Sequence, residues 1–320
     1  MIDTSKNNNT EVLSFLALCD VRGVGFETLK KVARDRIGFS AFFDEDVESD
    51  VSQKILVNPT YARLKEHFSP THMKNSSLDE ARRKLDYMSR RRIKIVFPGD
   101  ACYPRQLLGL RDVPRWLFVE GNEKALQAPA ITAVGSRKVS AEGKWLATYF
   151  GFCLDELKAV TVSGLAEGID QIVHRASLAL GLPTVAVLGT GVLSDYPSGS
   201  AELRQRIVEG GGAVVTEYLP NDSVSAKNFV RRNRIQAALG RLVFPIEWSL
   251  KSGTAHTVKF ATDLDRPLVF ARAPTQPQQD WIPRELYSSA GYFTVPKDHD
   301  KFIAFFKANL EVQPKQKLLI

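Results

Sequence analysis

The chain has 320 residues, 44% of them hydrophobic and 25% charged, which excludes wholesale disorder, collagen-like repeats and a disulfide scaffold. At roughly 150 residues per domain, that length calls for two domains. Forty-three Lys and Arg against 36 Asp and Glu leave a net charge of +7, which suits a polyanionic partner or simply a solvated basic surface. Residues 1–10 are polar and are predicted to be disordered. From Glu11, the apolar residues Val12, Phe15, Leu16 and Leu18 follow helical spacing. The stretch Val21-Arg-Gly-Val-Gly25 then reads as a turn, and Leu29, Val32 and Ala33 mark a second helix.

This pattern makes residues 11–70 a small helical domain of helix-hairpin-helix (SAM-like) type. Its turn either presents backbone N–H groups to a phosphate or serves as a packing or partner module. Residues 71–129 read as a linker helix and a lead-in to the core. The helix spans about Leu78 to Arg92 with a solvated basic face, and a short strand, Ile93–Phe97, follows.

The rhythm is regular over residues 130–312. Apolar strands are predicted at Ile131–Val134, Val160–Ser163, Thr184–Leu188, Ala213–Thr216, Leu242–Ile246 and Leu268–Ala271. Helices are predicted near 141–158, 169–180, 199–209, 230–239 and 254–263. Strands apolar on both faces that alternate with helices indicate an α/β domain, a Rossmann-like parallel sheet with helices on both faces. One more strand, Gly291–Val295, and a helix, His299–Leu310, precede a loose tail at 313–320. No apolar run reaches the roughly 18 residues of a membrane helix. Cys19, Cys102 and Cys153 form no CxxC pair. Both features suit a cytoplasmic protein in a reducing compartment, without membrane contact.

Ligands of such sheets bind beyond the carboxyl ends of the strands. The segments there are Gly135-Ser-Arg-Lys138, Ser163-Gly-Leu-Ala-Glu-Gly-Ile-Asp170, Gly189-Thr-Gly191, Asn228-Phe-Val-Arg-Arg-Asn-Arg-Ile235 and Lys251-Ser-Gly-Thr254. Glycines that admit close backbone approach, helix N-termini and several arginines together make an anion cradle. No GxGxxG follows the first strand, and GxxxxGK[ST] and GxSxG are absent, so no dinucleotide cofactor, P-loop or serine nucleophile is expected. The His and carboxylate pattern is too sparse for a metal site. Asp170 and His174, one helical turn apart, read as structural, and Arg234 reads equally as a ligand or as a brace on Glu217 or Glu247.

The ordered motifs resemble the DprA/Smf family of DNA-processing proteins. The resemblance covers roughly residues 90–300. It is carried by Tyr103-Pro-Arg-Gln-Leu107, Val113-Pro-Arg-Trp-Leu117, Val134-Gly-Ser-Arg137, Ser163 to Asp170 with His174, and Val187-Leu-Gly-Thr-Gly191. Tyr196-Pro197, Glu217, Phe229, Arg231-Arg-Asn-Arg-Ile235 and Ser252-Gly-Thr254 complete it. The resemblance implies a non-enzymatic, homodimeric single-stranded DNA-binding protein that protects strands and loads the RecA recombinase, with no cofactor. By motif, it places binding on Ser136, Arg137, Ser163, Gly164, Phe229, Arg231, Arg232, Asn233 and Ser252; Lys138, Lys227 and Lys251 are added for their charge and position.

Two departures from the family stand out: Val230 replaces a common proline, and Ser252-Gly-Thr-Ala255 replaces an SGSL-like run. Residues 273–320 are too few for the last sheet elements plus a C-terminal winged helix, so none is expected. Three other functions remain open. One is a regulator in phage defence or alongside a cognate toxin. Another is a nucleotide sensor or hydrolase using Glu217 or Glu247. The third is a protein-binding module centred on residues 11–70.

Overall fold

The computed structural model describes residues 4–312 apart from 278 and 280, so the predicted tail at 313–320 lies outside it. The chain divides into two compact units, Met1–Ile95 and Val96–Ile320. The first is helical: α1 (Thr4–Cys19), α2 (Phe26–Arg34), α3 (Ser49–Val57), α4 (Pro59–His67) and α5 (Thr71–Arg90). Its interior is lined by Phe15, Leu16, Leu29, Val32, Phe42, Tyr61 and Leu64. The Glu11 carboxylate ties α1 to the next turn by accepting the Phe39 and Ser40 N–H groups at 2.8 and 3.1 Å.

Two expectations are corrected here. The first helix begins at Thr4 rather than near Glu11, because lengthening a nucleated helix adds a hydrogen bond for each residue fixed, even through a polar Asn run. The charged helix is no linker either. α5 packs on α1 within the first unit and buries Ala81 and Met88, seven residues apart on one face. Its arginines do stay solvated, paired locally as Arg82–Asp79, Arg83–Glu80 and Arg90–Asp86. A short strand, β1 (Ile93–Val96), marks the boundary.

Among the described residues of the second unit, eight strands make one sheet. They are β2 (Leu117–Gly121), β3 (Ala130–Gly135), β4 (Val160–Ser163), β5 (Thr184–Val187), β6 (Ala213–Thr216), β7 (Leu242–Glu247), β8 (Leu268–Arg272) and β9 (Ala290–Thr294). Their order is β2-β6-β5-β4-β3-β7-β8-β9. All neighbours run parallel except β2, which pairs antiparallel with β6 at Phe118↔Thr216 through Gly121↔Ala213. The connecting helices are α6 (Ala141–Leu157), α7 (Ile169–Ala179), α8 (Ala201–Glu209), α9 (Ala226–Leu239), α10 (Gly253–Asp263) and α11 (His299–Glu311).

Side-chain alternation sorts these helices into two layers. Leu242, Phe244 and Ile246 of β7 pack with α6, α7 and α11, whereas Val243 packs with α9 and α10. The chain adds β4, β5 and β6 to one side of β3, then returns to add β7, β8 and β9 on the other, so β3/β7 is the topological switch point. Pro245 lacks an N–H, and beside it the β3/β7 register shifts so that Gly135 pairs with Glu247. The fold therefore opens its crevice between the loops that follow β3 and β7. No helix among the described residues is long and apolar enough to cross a membrane.

Candidate functional site

The loop after β3 carries Ser136, Arg137 and Lys138. Its Ser136 N–H donates to the Glu247 carbonyl at 2.8 Å, and the Ser136 hydroxyl donates to the Lys138 carbonyl at 2.6 Å. The turn is thus clasped to the end of β7, and Arg137 and Lys138 stand exposed. Across the crevice Lys251 is exposed, while the Ser252 hydroxyl is engaged by its own turn, donating to the Ser249 carbonyl at 2.7 Å. At the start of α9, Lys227 is exposed and Phe229 half-buried. The Arg137 guanidinium lies 5.2 Å from the centre of the Phe229 ring, that of Arg232 lies 5.8 Å away, and Tyr196 approaches the same ring at 5.3 Å. Gly189 lets the loop after β5 close on this ring, because a methyl group there would collide with it.

Other residues expected at the surface form a layer beneath it. Ser163 is fully buried, its hydroxyl donating to the Ala133 carbonyl at 2.7 Å. The Gly164 N–H donates to Asp170 Oδ2 at 3.1 Å, and any side chain at Gly164 would strike Asp170 and Arg232. Arg232 is itself buried and donates to the Val187 carbonyl. Burial lowers its pKa to about 10, against the opposing pull of Asp170; burial likewise raises the Asp170 carboxyl, against the pull of Arg232. The Asn233 amide donates to the Gly253 carbonyl at 3.0 Å, which joins α9 to the start of α10.

Arg231 donates to Asp112 at 3.0 Å, with Glu217 at 3.7 Å. Arg234 grips Glu217 with both ends of its guanidinium, one at 2.6 Å. Burial alone would lower the Arg234 pKa, but Glu217 outweighs it and the net shift is upward. Arg234 is therefore a brace, and its partner is Glu217. Glu247 instead accepts the Ser140 N–H at 3.2 Å, at the start of α6. Asp112, Tyr196 and Gly189 complete this construction. The sequence marks Gly189 in a rim segment and Tyr196 in a family motif but not Asp112, because nothing local to Asp112 announces a partner on α9.

His174 sits in the core with Nδ1 2.7 Å from Thr184 Oγ1, and burial pushes its pKa down to about 3. The unfolded chain protonates this imidazole near pH 6.5. Acidification between those values therefore charges the unfolded state first and removes stability. We expect His174 to account for about 2 kcal/mol of stability loss between about pH 7 and pH 5. Urea unfolding of wild type and His174→Gln at both pH values should show that component in wild type alone. No cluster of three or more His, Cys, Asp or Glu side chains suited to a metal occurs among the described residues.

The family model for DNA recombination-mediator protein A matches residues 94–297. The chain belongs to this family. Among curated relatives it is 39% identical over 173 residues to the DNA processing protein DprA of Streptococcus pneumoniae, covering 54% of this chain and 60% of that one. It is 38% identical over 177 residues to Protein Smf of Escherichia coli, covering 55% and 47%. It thus spans about half the length of these relatives. Among solved structures, S. pneumoniae DprA superposes with a TM-score of 0.58 at 24% identity, covering 93% of this chain and 96% of that one. DprA of Helicobacter pylori, described for its single-stranded DNA binding mode, gives 0.56 at 23%, covering 68% and 97%. Both structures share the fold of this chain.

Proposed function

We propose that this recombination-mediator family member binds single-stranded DNA along the outer layer at the carboxyl edge of the sheet. The observation that carries this reading is Arg137 lying on the Phe229 ring, with exposed Lys138 on the same loop, exposed Lys227 at the start of α9 and exposed Lys251 on the loop after β7. Cations neutralise phosphates, and an aromatic face accepts an unpaired base, a pairing that favours single strands over duplex. The inner layer of Ser163, Gly164, Arg231, Arg232 and Asn233 holds that surface in shape. The protein works without catalysis in the cytoplasm, as a homodimer that shields the strand and passes it to RecA.

Against the hydrolase alternative, Glu217 is gripped by Arg234 and Glu247 accepts a backbone N–H. The test is binding of the full chain to a labelled single strand and to its duplex across a salt series. Log affinity for the single strand is expected to fall against log salt by about 0.7 per phosphate neutralised, giving a slope near −3 for four cations. Equal affinity for duplex, or a flat salt response, overturns the reading. Capture of RecA by the strand-bound protein then separates the recombination role from a phage-defence or antitoxin-like one.

A further inference from the structure

On the other side of the switch point from Phe229, the rim carries aromatic rings that the proposed contacts leave unused. Trp248 directly follows Glu247, whose carbonyl holds the Ser136 N–H, so it is one residue from the clasp of the Arg137 loop. Its ring stacks on Phe270 of β8 at 6.0 Å and 19°, and meets Trp281 edge-on at 4.9 Å and 66°. Ile282 is buried, which pins the segment, yet Trp281 remains 42% exposed. Exposed Lys251 and the 53%-exposed Leu250 lie on the same β7–α10 loop as Trp248.

Packing alone explains one side of Trp281, its contact with Trp248, and leaves the rest of a large apolar ring in water. It also leaves the Trp248 indole N–H buried with no hydrogen-bond partner among the described residues. A buried indole donor ordinarily finds an acceptor, so packing does not fully account for Trp248, which meets the open Trp281 ring and shares its loop with exposed Lys251. Open aromatic faces among cations are what a groove for unpaired nucleic acid presents.

We infer that Trp281, backed by Trp248, is a second base-stacking position. It extends the strand's path from Arg137 and Phe229 across β3/β7 to the β8 end of the sheet. This inference rests on the single-strand reading above and lengthens its footprint.

The test uses the full chain with oligothymidylates of increasing length and an abasic strand as long as the longest. The variants are Trp281→Ala, Trp281→Leu and Trp281→Phe. Long oligothymidylates should lose roughly 5- to 30-fold affinity with Trp281→Ala. Trp281→Leu, which keeps apolar bulk against Trp248, should lose nearly as much, and Trp281→Phe should lose little. The shortest strands, which reach only Arg137 and Phe229, should bind all variants alike. Tryptophan emission of wild type should be quenched by the long oligothymidylate, less so in Trp281→Phe, and left unquenched by the abasic strand.

If Trp281→Leu binds long strands like wild type, or the abasic strand quenches equally, the stacking position is wrong. The single-strand reading survives that result as long as Arg137→Ala still weakens binding. No binding by wild type at low salt overturns both.

Discussion

Arg232→Ala is expected to lower the unfolding free energy by about 3–5 kcal/mol, a larger effect on folding than on the strength of any surface contact. Arg232 is only 4% exposed, donates to the Val187 carbonyl at the end of β5, and faces Asp170, itself 5% exposed. Removing the guanidinium strands a buried carboxylate whose pKa burial already raises. A group with a raised folded-state pKa favours the folded state at low pH and opposes it as pH rises. The deficit of Arg232→Ala should therefore narrow on acidification, as Asp170 takes up a proton. The double variant Arg232→Met with Asp170→Asn removes both charges and should recover much of the loss, because no unpaired buried ion remains. Urea unfolding of wild type and both variants measures this. Wild-type stability for Arg232→Ala would mean that the residue is a surface cation after all.

That distinction marks where the sequence stops being readable. The strand bounds Val160–Ser163 and Ala213–Thr216 match the structure residue for residue, since short β-branched runs between helical segments leave little freedom. Strand β2 escaped notice because Leu117-Phe-Val119 follows a proline-containing lead-in and joins the sheet antiparallel, outside the strand–helix alternation. The packing of α5 also depends on tertiary contacts that its charged pattern conceals, and the start of α1 on elongation of a nucleated helix through a polar run.

In the site, the run Arg231-Arg-Asn-Arg234 shows its charge in the sequence but not its pairing. On a helix, successive side chains point about 100° apart, so the four residues meet different neighbours. Arg231 finds Asp112, 119 residues away, and Arg234 finds Glu217, 17 residues away. Arg232 faces Asp170. These partners come from separate loops that only the closed sheet brings together. Three consecutive-looking cations are consequently spent inside the protein, whereas Arg137, beside Lys138 in the loop after β3, is left outside with a ring to lie on.

Arg137→Ala is accordingly expected to weaken single-strand binding by about 10- to 100-fold, the range of a charge-assisted hydrogen bond of roughly 1.5–3 kcal/mol. The salt slope should become shallower by about 0.7, one phosphate contact fewer. Stability should stay within about 1 kcal/mol of wild type, because the side chain is exposed and its contact with the Phe229 ring is a solvent-exposed cation–π pair. Arg137→Lys separates charge from shape. It restores the slope, since a lysine still neutralises one phosphate, but it does not restore full affinity, because an ammonium lacks the flat guanidinium that lies over Phe229. Phe229→Ala in the Arg137→Ala background should then lose less than in wild type, since the two side chains form one contact surface and their effects do not add. Fluorescence anisotropy across a salt series reads affinity and slope for every variant, and urea unfolding reads stability. If Arg137→Ala keeps both affinity and slope, the strand does not cross the end of β3, and the binding face must be sought away from the switch point.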